Sequence, residues 1–143
     1  MKLDDPYDPN NVFARIIRGE VPCVKVFEDE RTMAIMDAFP QADGHVLVIP
    51  TKAQAANLLA LDEEDAAAIA RTVRRVAGAV VDALEPDGVR ILQFNGSAAG
   101  QTVFHYHVHV LPKWSGRALR GHGQDMAELD SLESIARRIR EKL

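Results

Sequence analysis

Three of the five histidines in the chain occupy every second position of one short segment, at His105, His107 and His109. Successive side chains of an extended strand point to opposite faces, so this spacing predicts a row of three imidazoles on one face. The intervening residues are apolar or aromatic and suit the packed face of the same strand. Three interpretations of the row are open: a metal site, a catalytic row, and an ordinary solvent-facing row.

The geometry of a strand argues against one metal ion bound by the whole row. The Cα atoms of the outer two histidines lie roughly 13 Å apart along a strand, whereas Zn–N bonds are only about 2 Å long. All three imidazoles could scarcely reach one ion, and a His-x-His pair would need a further ligand from elsewhere in the chain. A solvent-facing row remains open, because polar alternation is normal on a half-exposed sheet.

The segment just before the row favours catalysis on a phosphate. It contains glycines, whose backbone can approach a ligand closely, and side chains that donate hydrogen bonds to phosphate oxygens. These residues are Asn95, Gly96, Ser97, Gly100, Gln101 and Thr102. A neutral imidazole with a pKa of about 6.5 is a good nucleophile, and a protonated neighbour is a good donor to an oxyanion. The combination predicts phosphoryl or nucleotidyl transfer through a covalent histidine intermediate.

Hydrophobic periodicity and turn residues predict the elements that position this row. In chain order they are a helix from Asn10 or Asn11 to Arg18, a hairpin of strands 25–28 and 32–37, a strand 45–49, a short helix 51–60, a long helix 62–84, strands 89–94 and 103–111, and a helix 126–143. The connections between strands are short enough for antiparallel pairing. The order favours an α+β fold with a mostly antiparallel, five-stranded sheet.

Composition limits the kinds of partner and compartment. A chain of 143 residues fits one domain. Lys and Arg total 17 against 21 Asp and Glu, and this net charge of −4 argues against a broad nucleic-acid-binding face. The one cysteine, Cys23, has no disulfide partner and is interpreted as an inert core thiol. We expect a cytoplasmic protein without a membrane partner, because the sequence has no signal-peptide pattern and no apolar run of spanning length.

The histidine row also resembles a known family motif. Residues 105–111, His-Tyr-His-Val-His-Val-Leu, resemble the His-φ-His-φ-His-φ-φ signature of the histidine triad (HIT) superfamily, in which φ is apolar. Residues 13–22, Asp37 with 44–50, and Asn95 with 99–103 resemble further segments of the bacterial, Hint-like nucleotide hydrolase branch, in the expected order. The resemblance covers about residues 12–114. It implies one HIT domain over 1–143, with 115–143 as a C-terminal extension containing a helix.

The resemblance implies a homodimer and an enzyme acting at the α-phosphate of purine nucleoside 5′-phosphoramidates or related compounds. His107 would be the nucleophile that carries the nucleotidyl group. His105 and His109 would orient it and contact the phosphate, and His45 would support His105 or His107. The implied substrate-binding residues are Asn95, Gln101, Thr102 and His109 for the phosphate, Asp37 for the ribose, and Phe13, Ile16, Val21 and Ile35 for the base.

Departures from the family pattern predict that this chain uses no metal and no cofactor. Many bacterial relatives hold a structural zinc with a Cys-x-x-Cys pair and histidines, but Asn11, Ala14 and Ala53 stand at corresponding positions here. Beyond Trp114 the chain continues into a helix, so the leaving group is not defined by the resemblance. Two alternatives stay open: a dinucleoside polyphosphate hydrolase, and a nucleotide-binding interaction protein with incidental activity.

Overall fold

The computed structural model describes residues 1–121 and 125–143 of the chain. Its elements are the strands β1 (Lys25–Glu28), β2 (Thr32–Met36), β3 (Val46–Pro50), β4 (Gly88–Leu92) and β5 (Val108–Lys113), and the helices α1 (Val12–Ile17), α2 (Glu63–Leu84) and α3 (Leu129–Arg140). The strands form one sheet in the order β1-β2-β3-β5-β4, and each neighbouring pair is antiparallel. The predicted α+β fold with a five-stranded antiparallel sheet is confirmed.

The long helix α2 covers one face of the sheet. The side chain of Asp62 accepts a hydrogen bond from the backbone N–H of Asp65 at 2.8 Å and caps the first turn. Its apolar stripe packs with α3 and with inward residues of β2, β3 and β5 in the main core. Within the described part of the chain, no helix is long and apolar enough to span a bilayer.

A second, smaller core occupies the opposite face of the sheet, beneath α1. Alternate residues of β2 and β3 point to this face, so the two central strands are buried on both sides. The cluster consists of Phe13, Met33, Ile35, Leu47 and Ile49. The helix α1 is held at its start by Asn11, whose side chain accepts from the N–H of Ala14 at 2.9 Å. The histidine row lies on this face.

The predicted helix over 51–60 does not form, and only a 3₁₀ turn at Leu58–Ala60 is present. The backbone carbonyls that a helix would use are bonded to other parts of the fold. The carbonyl of Ala55 accepts from the N–H of Tyr106 at 2.8 Å, and that of Ala56 accepts from the Gln101 amide at 2.6 Å. Tertiary hydrogen bonds therefore override the helical propensity of this alanine-rich stretch.

The start of one strand and the start of one helix also differ from the predicted positions. The strand predicted over 103–111 begins at Val108, because Tyr106 bonds to the loop at Ala55 instead of extending the ladder with β3. The final helix begins at Leu129 instead of 126, because the preceding backbone is extended and the N–H of Ala127 donates to the carbonyl of Ala38 at 2.9 Å. Both differences place irregular backbone beside the histidines.

The packing of α3 yields a stability prediction. Ile139 is fully buried in the main core between α3 and the sheet. Ile139→Ala should lower the free energy of unfolding by about 2–5 kcal/mol, because it removes buried methylene groups and leaves a cavity. Urea denaturation followed by circular dichroism measures this loss, with the exposed Ser134→Ala as the control. A loss below about 1 kcal/mol, or a separate transition for α3, would contradict a shared core.

Candidate active site

The three histidines of the row are all buried and lie on the α1 side of the sheet. Their exposed fractions are 2% for His105, 8% for His107 and 4% for His109. The centroid of the His107 ring lies 4.9 Å from that of Phe13 and 5.1 Å from that of His109. The intervening Tyr106, Val108 and Val110 belong to the main core on the opposite face. The predicted alternation holds, although only His109 lies within β5.

The hydrogen bonding of His107 defines its tautomer. Nδ1 of His107 lies 2.7 Å from the backbone carbonyl oxygen of His105. A carbonyl oxygen only accepts, so Nδ1 carries the proton and donates it. The neutral ring then has its lone pair on Nε2. The central histidine of the row is therefore arranged as a nucleophile at Nε2.

His105 is held as a neutral ring by two hydrogen bonds. Its Nε2–H donates to the carbonyl of Pro50 at 3.0 Å, and its Nδ1 accepts from the hydroxyl of Tyr7 at 2.7 Å. Burial lowers the pKa of His105 to about 4, the nearby His107 acts in the same direction, and the Pro50 carbonyl opposes them. His105 is thus uncharged at neutral pH, and its two hydrogen bonds tie the row to Pro50 and Tyr7.

Tyr7 is a site residue that sequence reasoning missed. It lies in an N-terminal arm of aspartates and prolines that carries no periodic signal. The hydroxyl reaches His105 because the arm is fastened to the loops around the site, with the Leu3 carbonyl accepting from the Asn57 amide at 2.9 Å. Tyr7 is held beside His105 only by contacts between distant parts of the chain, and the sequence carries no pattern that indicates such contacts.

His45 pairs with the third histidine of the row, whereas the sequence suggested support for His105 or His107. The backbone N–H of Gln41 donates to Nδ1 of His45 at 3.1 Å, so the proton of the neutral ring is on Nε2. This Nε2 lies 2.9 Å from Nδ1 of His109 and 3.4 Å from a carboxylate oxygen of Asp37. His109 therefore accepts at Nδ1, and its own proton lies on Nε2, where it suits a phosphate oxygen.

The cluster of Asp37, His45 and His109 has the residue types of a metal site. One donor atom from each lies within 4.8 Å of the others, and all three residues are buried. A metal would need the Nε2 lone pair of His45, which would put a proton on Nδ1 facing the N–H of Gln41. The Nδ1–H of His45 and the backbone N–H of Gln41 would then face each other, with no acceptor between them. The hydrogen-bonded arrangement fits a network of neutral imidazoles better than a metal ion.

The zinc position of the bacterial relatives does not fit a metal here either. Asn11 uses its side-chain oxygen to cap α1, and Ala14 offers no donor atom. The imidazole of His105 is bonded to Tyr7 on the same side. Hydrogen bonds from the N-terminal arm hold this corner of the structure.

A largely apolar cleft of about 350 Å³ opens beside the histidines. All four residues predicted to contact a base line it, and Cys23, expected in the core, lies half-buried in its wall. The predicted base residues are Phe13, Ile16, Val21 and Ile35. Residues 126, 127, 129 and 132 of the C-terminal extension also line the cleft, which the sequence did not anticipate. The shape and lining suit a flat apolar group.

Asp37 lies in the wall of this cleft and is only 8% exposed. One carboxylate oxygen accepts from the backbone N–H of Phe39 at 2.8 Å, and the other faces His45. A carboxylate oxygen has two acceptor positions, so this group still has capacity to accept from hydroxyls. Its place between the apolar wall and the histidines is compatible with the predicted contact to a ribose.

A second cavity of about 310 Å³ meets the cleft at the histidine row. The two share Thr102, His107 and His109. The second cavity is bounded by Gln41, Leu92, Phe94 and Gly100. An atom placed at the junction would therefore face His107 with one cavity on each side.

The two predicted phosphate-binding amides instead hold the loops together. The Gln101 side chain is buried, accepts from the N–H of Gly96 at 2.7 Å and donates to two backbone carbonyls. Asn95 accepts from the N–H of Leu58 at 2.8 Å and exchanges hydrogen bonds with Gln93. Neither is among the described residues that line the two cavities. Thr102 is exposed and does line both.

The chain is similar in sequence and in fold to proteins of one known family. The model of the HIT domain family matches residues 18–116. The solved structure of a Hit-like protein from Bartonella henselae superposes with a TM-score of 0.89 at 42% identity, covering 96% of this chain and 100% of that one.

Two relatives carry names that describe an activity. An adenylylsulfatase of Arabidopsis thaliana is 37% identical over 89% of this chain and 68% of its own. An adenosine 5′-monophosphoramidase of Schizosaccharomyces pombe is 39% identical over 71% of this chain and 73% of its own. The family match, these identities and the shared fold lead to one conclusion: the chain belongs to the histidine triad family.

Proposed function

We propose that the protein is a nucleotide hydrolase that acts at the α-phosphate of purine nucleoside 5′-phosphoramidates or related compounds through a covalent nucleotidyl-histidine. The observation that carries this proposal is that His107, whose Nδ1–H donates to the carbonyl of His105, lines both cavities where they meet. The relatives named as an adenylylsulfatase and an adenosine 5′-monophosphoramidase support a nucleotide substrate.

The reaction proceeds in two displacements. Nε2 of His107 attacks phosphorus, a P–N bond to His107 forms, and the bond to the leaving group breaks as that group takes up a proton. Water then attacks the same phosphorus, releases the nucleoside monophosphate and restores His107. His109, with its proton on Nε2, and Thr102 donate to phosphate oxygens, and neutral His105 holds the nucleophile in place.

The two cavities supply the two ends of the substrate. The base occupies the apolar cleft, with the ribose against Asp37. Attack in line places the leaving group on the far side of phosphorus, in the second cavity. Among the described residues, none that lines this second cavity is a lysine or arginine. That lining favours an uncharged or amine leaving group over the polyphosphate of a dinucleoside substrate.

The first prediction for this mechanism compares two substitutions. His107→Ala should lower kcat by roughly 10³–10⁶-fold, because it removes the covalent route itself. Thr102→Ala should lower kcat by only about 10–10³-fold, because it removes a single phosphate donor. Steady-state hydrolysis of adenosine 5′-phosphoramidate measures both.

Three controls test whether the covalent intermediate forms, whether His107→Ala still folds and binds nucleotide, and whether the activity needs a metal ion. Wild-type enzyme stopped during turnover without acid should show one added nucleotide on the peptide bearing His107, and AMP should still raise the Tm of His107→Ala. A chelator should leave the wild-type rate unchanged. Retention of more than about a tenth of wild-type kcat by His107→Ala, without any adduct, would show that water attacks directly.

A second prediction concerns the hydroxyl of Tyr7. Tyr7→Phe keeps the ring beside His105 and removes the 2.7 Å hydrogen bond. We expect kcat to fall by about 2–10-fold with KM unchanged, because a hydrogen bond that positions the catalytic segment is lost and substrate contacts are not. Tyr106→Phe, on the opposite face, is the matched control. Equal effects of the two variants, or a change in KM alone, would refute a positioning role for Tyr7.

We also propose that the protein is a homodimer, paired through β4 and α2. The strand β4 is at the edge of the sheet, where its outer backbone groups can pair with another strand. Ile91 on this strand is 48% exposed, and Val81 on α2 is 40% exposed. Both features fit a surface covered by a second copy.

The dimer is tested by light scattering. The expected mass is twice the 15.8 kDa of the chain. Ile91→Lys should shift the protein toward the monomer, because it places a charge in an apolar interface. Leu59→Lys changes another exposed apolar residue, which is 74% exposed and lies away from the edge strand, and should leave the mass unchanged. A wild-type mass equal to that of one chain at micromolar concentration would disprove the dimer.

A further inference from the structure

The C-terminal extension forms part of the wall of the apolar cleft. Met126, Ala127, Leu129 and Leu132 line it together with residues of α1. Three of these residues precede or begin α3, where the backbone changes from extended to helical. The cleft therefore lies between an N-terminal helix and a segment more than a hundred positions later in the chain.

Two contacts fix this segment next to the site. The backbone N–H of Ala127 donates to the carbonyl of Ala38 at 2.9 Å, directly beside Asp37. Leu132 is 4% exposed and belongs to the main core, so the first turn of α3 is anchored to the sheet. The segment is thus a fixed part of the cleft wall, held on both sides of Leu129.

The side chains at the rim of this wall are unusually exposed for apolar residues. Met126 is 72% exposed, Leu129 is 56% exposed, and Phe39, which lines the same cleft, is 42% exposed. A flat apolar ligand in the cleft would cover part of each and remove that surface from water. The same lining also contains the polar side chains of Asp37, Thr102, His107 and His109.

We propose that Met126 and Leu129 are specificity-determining residues that contact the nucleobase and select large, flat purine rings by apolar contact. This inference rests on the proposed function, because it concerns the substrate of the same cleft. The C-terminal extension then has a binding role in addition to its role in the core. Thioether and isobutyl side chains pack against a ring without directional hydrogen bonds, so they distinguish bases by the area of the ring.

The test compares two substrates, one that carries a base and one that has none. Wild type, Met126→Ala and Leu129→Ala are assayed with adenosine 5′-phosphoramidate and with ribose 5-phosphoramidate, which lacks a base. Each substitution should raise KM for the adenosine compound by about 3–20-fold at nearly constant kcat, because apolar contact with the base is lost. KM for the compound without a base should change by less than about twofold. Leu59→Ala, another exposed leucine that does not line the cleft, is the matched control.

Each outcome is decisive. An unchanged KM for the adenosine compound in both variants, or an equal rise in KM for the two substrates, would overturn the base contact while leaving the hydrolase intact. Wild-type protein that neither hydrolyses the adenosine compound nor binds AMP in calorimetry would overturn the proposed function and, with it, this inference. The exposed positions of both side chains make misfolding of the variants an inadequate explanation, and their Tm values check this directly.

Discussion

One hydrogen bond, from the His107 ring to the carbonyl of His105, determines the chemistry of the site. It spans only two residues, yet it decides which ring nitrogen carries the proton and which carries the lone pair. The backbone can present that carbonyl only because residues 105–107 leave the regular ladder before β5 begins at Val108. Irregular backbone immediately beside a rigid strand therefore sets the tautomer of the proposed nucleophile, and the strand fixes its position.

The surrounding contacts keep the neighbouring rings neutral and correctly oriented. Pro50 and Tyr7 hold His105 from two sides, and Gln41 sets the tautomer of His45, which in turn sets that of His109. Neutral rings matter because several positive charges packed within about 5 Å would repel one another strongly in a buried site. Burial acts in the same direction, as the lowered pKa of His105 illustrates.

The sequence predicts the parts of this structure that depend on local pattern. The stripe of α2 with its Asp62 cap, the strand alternation around His107, and the base-side residues Phe13 and Ile35 all carry periodic or motif signals. The sequence does not predict features that depend on long-range hydrogen bonds. The alanine-rich 51–60 stretch fails to form a helix because its carbonyls serve other loops.

The same limit explains why the hydrogen-bond partners around the site differ from those that the sequence suggests. Gln101 has the right residue type for phosphate, and only the structure reveals that its amide is occupied by three backbone groups. Tyr7 and the C-terminal wall at Met126 are separated from the histidines by long stretches of chain. No spacing rule connects residues that meet only after the sheet has formed.

The loops around the histidines are joined by side-chain amides instead of by a strand ladder. Asn57, Asn95 and Gln101 link the N-terminal arm, the 51–60 stretch and the 95–103 loop. Backbone amides in this region depend on a few such links, whereas those of β2, β3 and β5 lie in a continuous ladder. Native-state hydrogen exchange should therefore be fastest at the loops, and mild denaturant should abolish activity while the sheet is still intact.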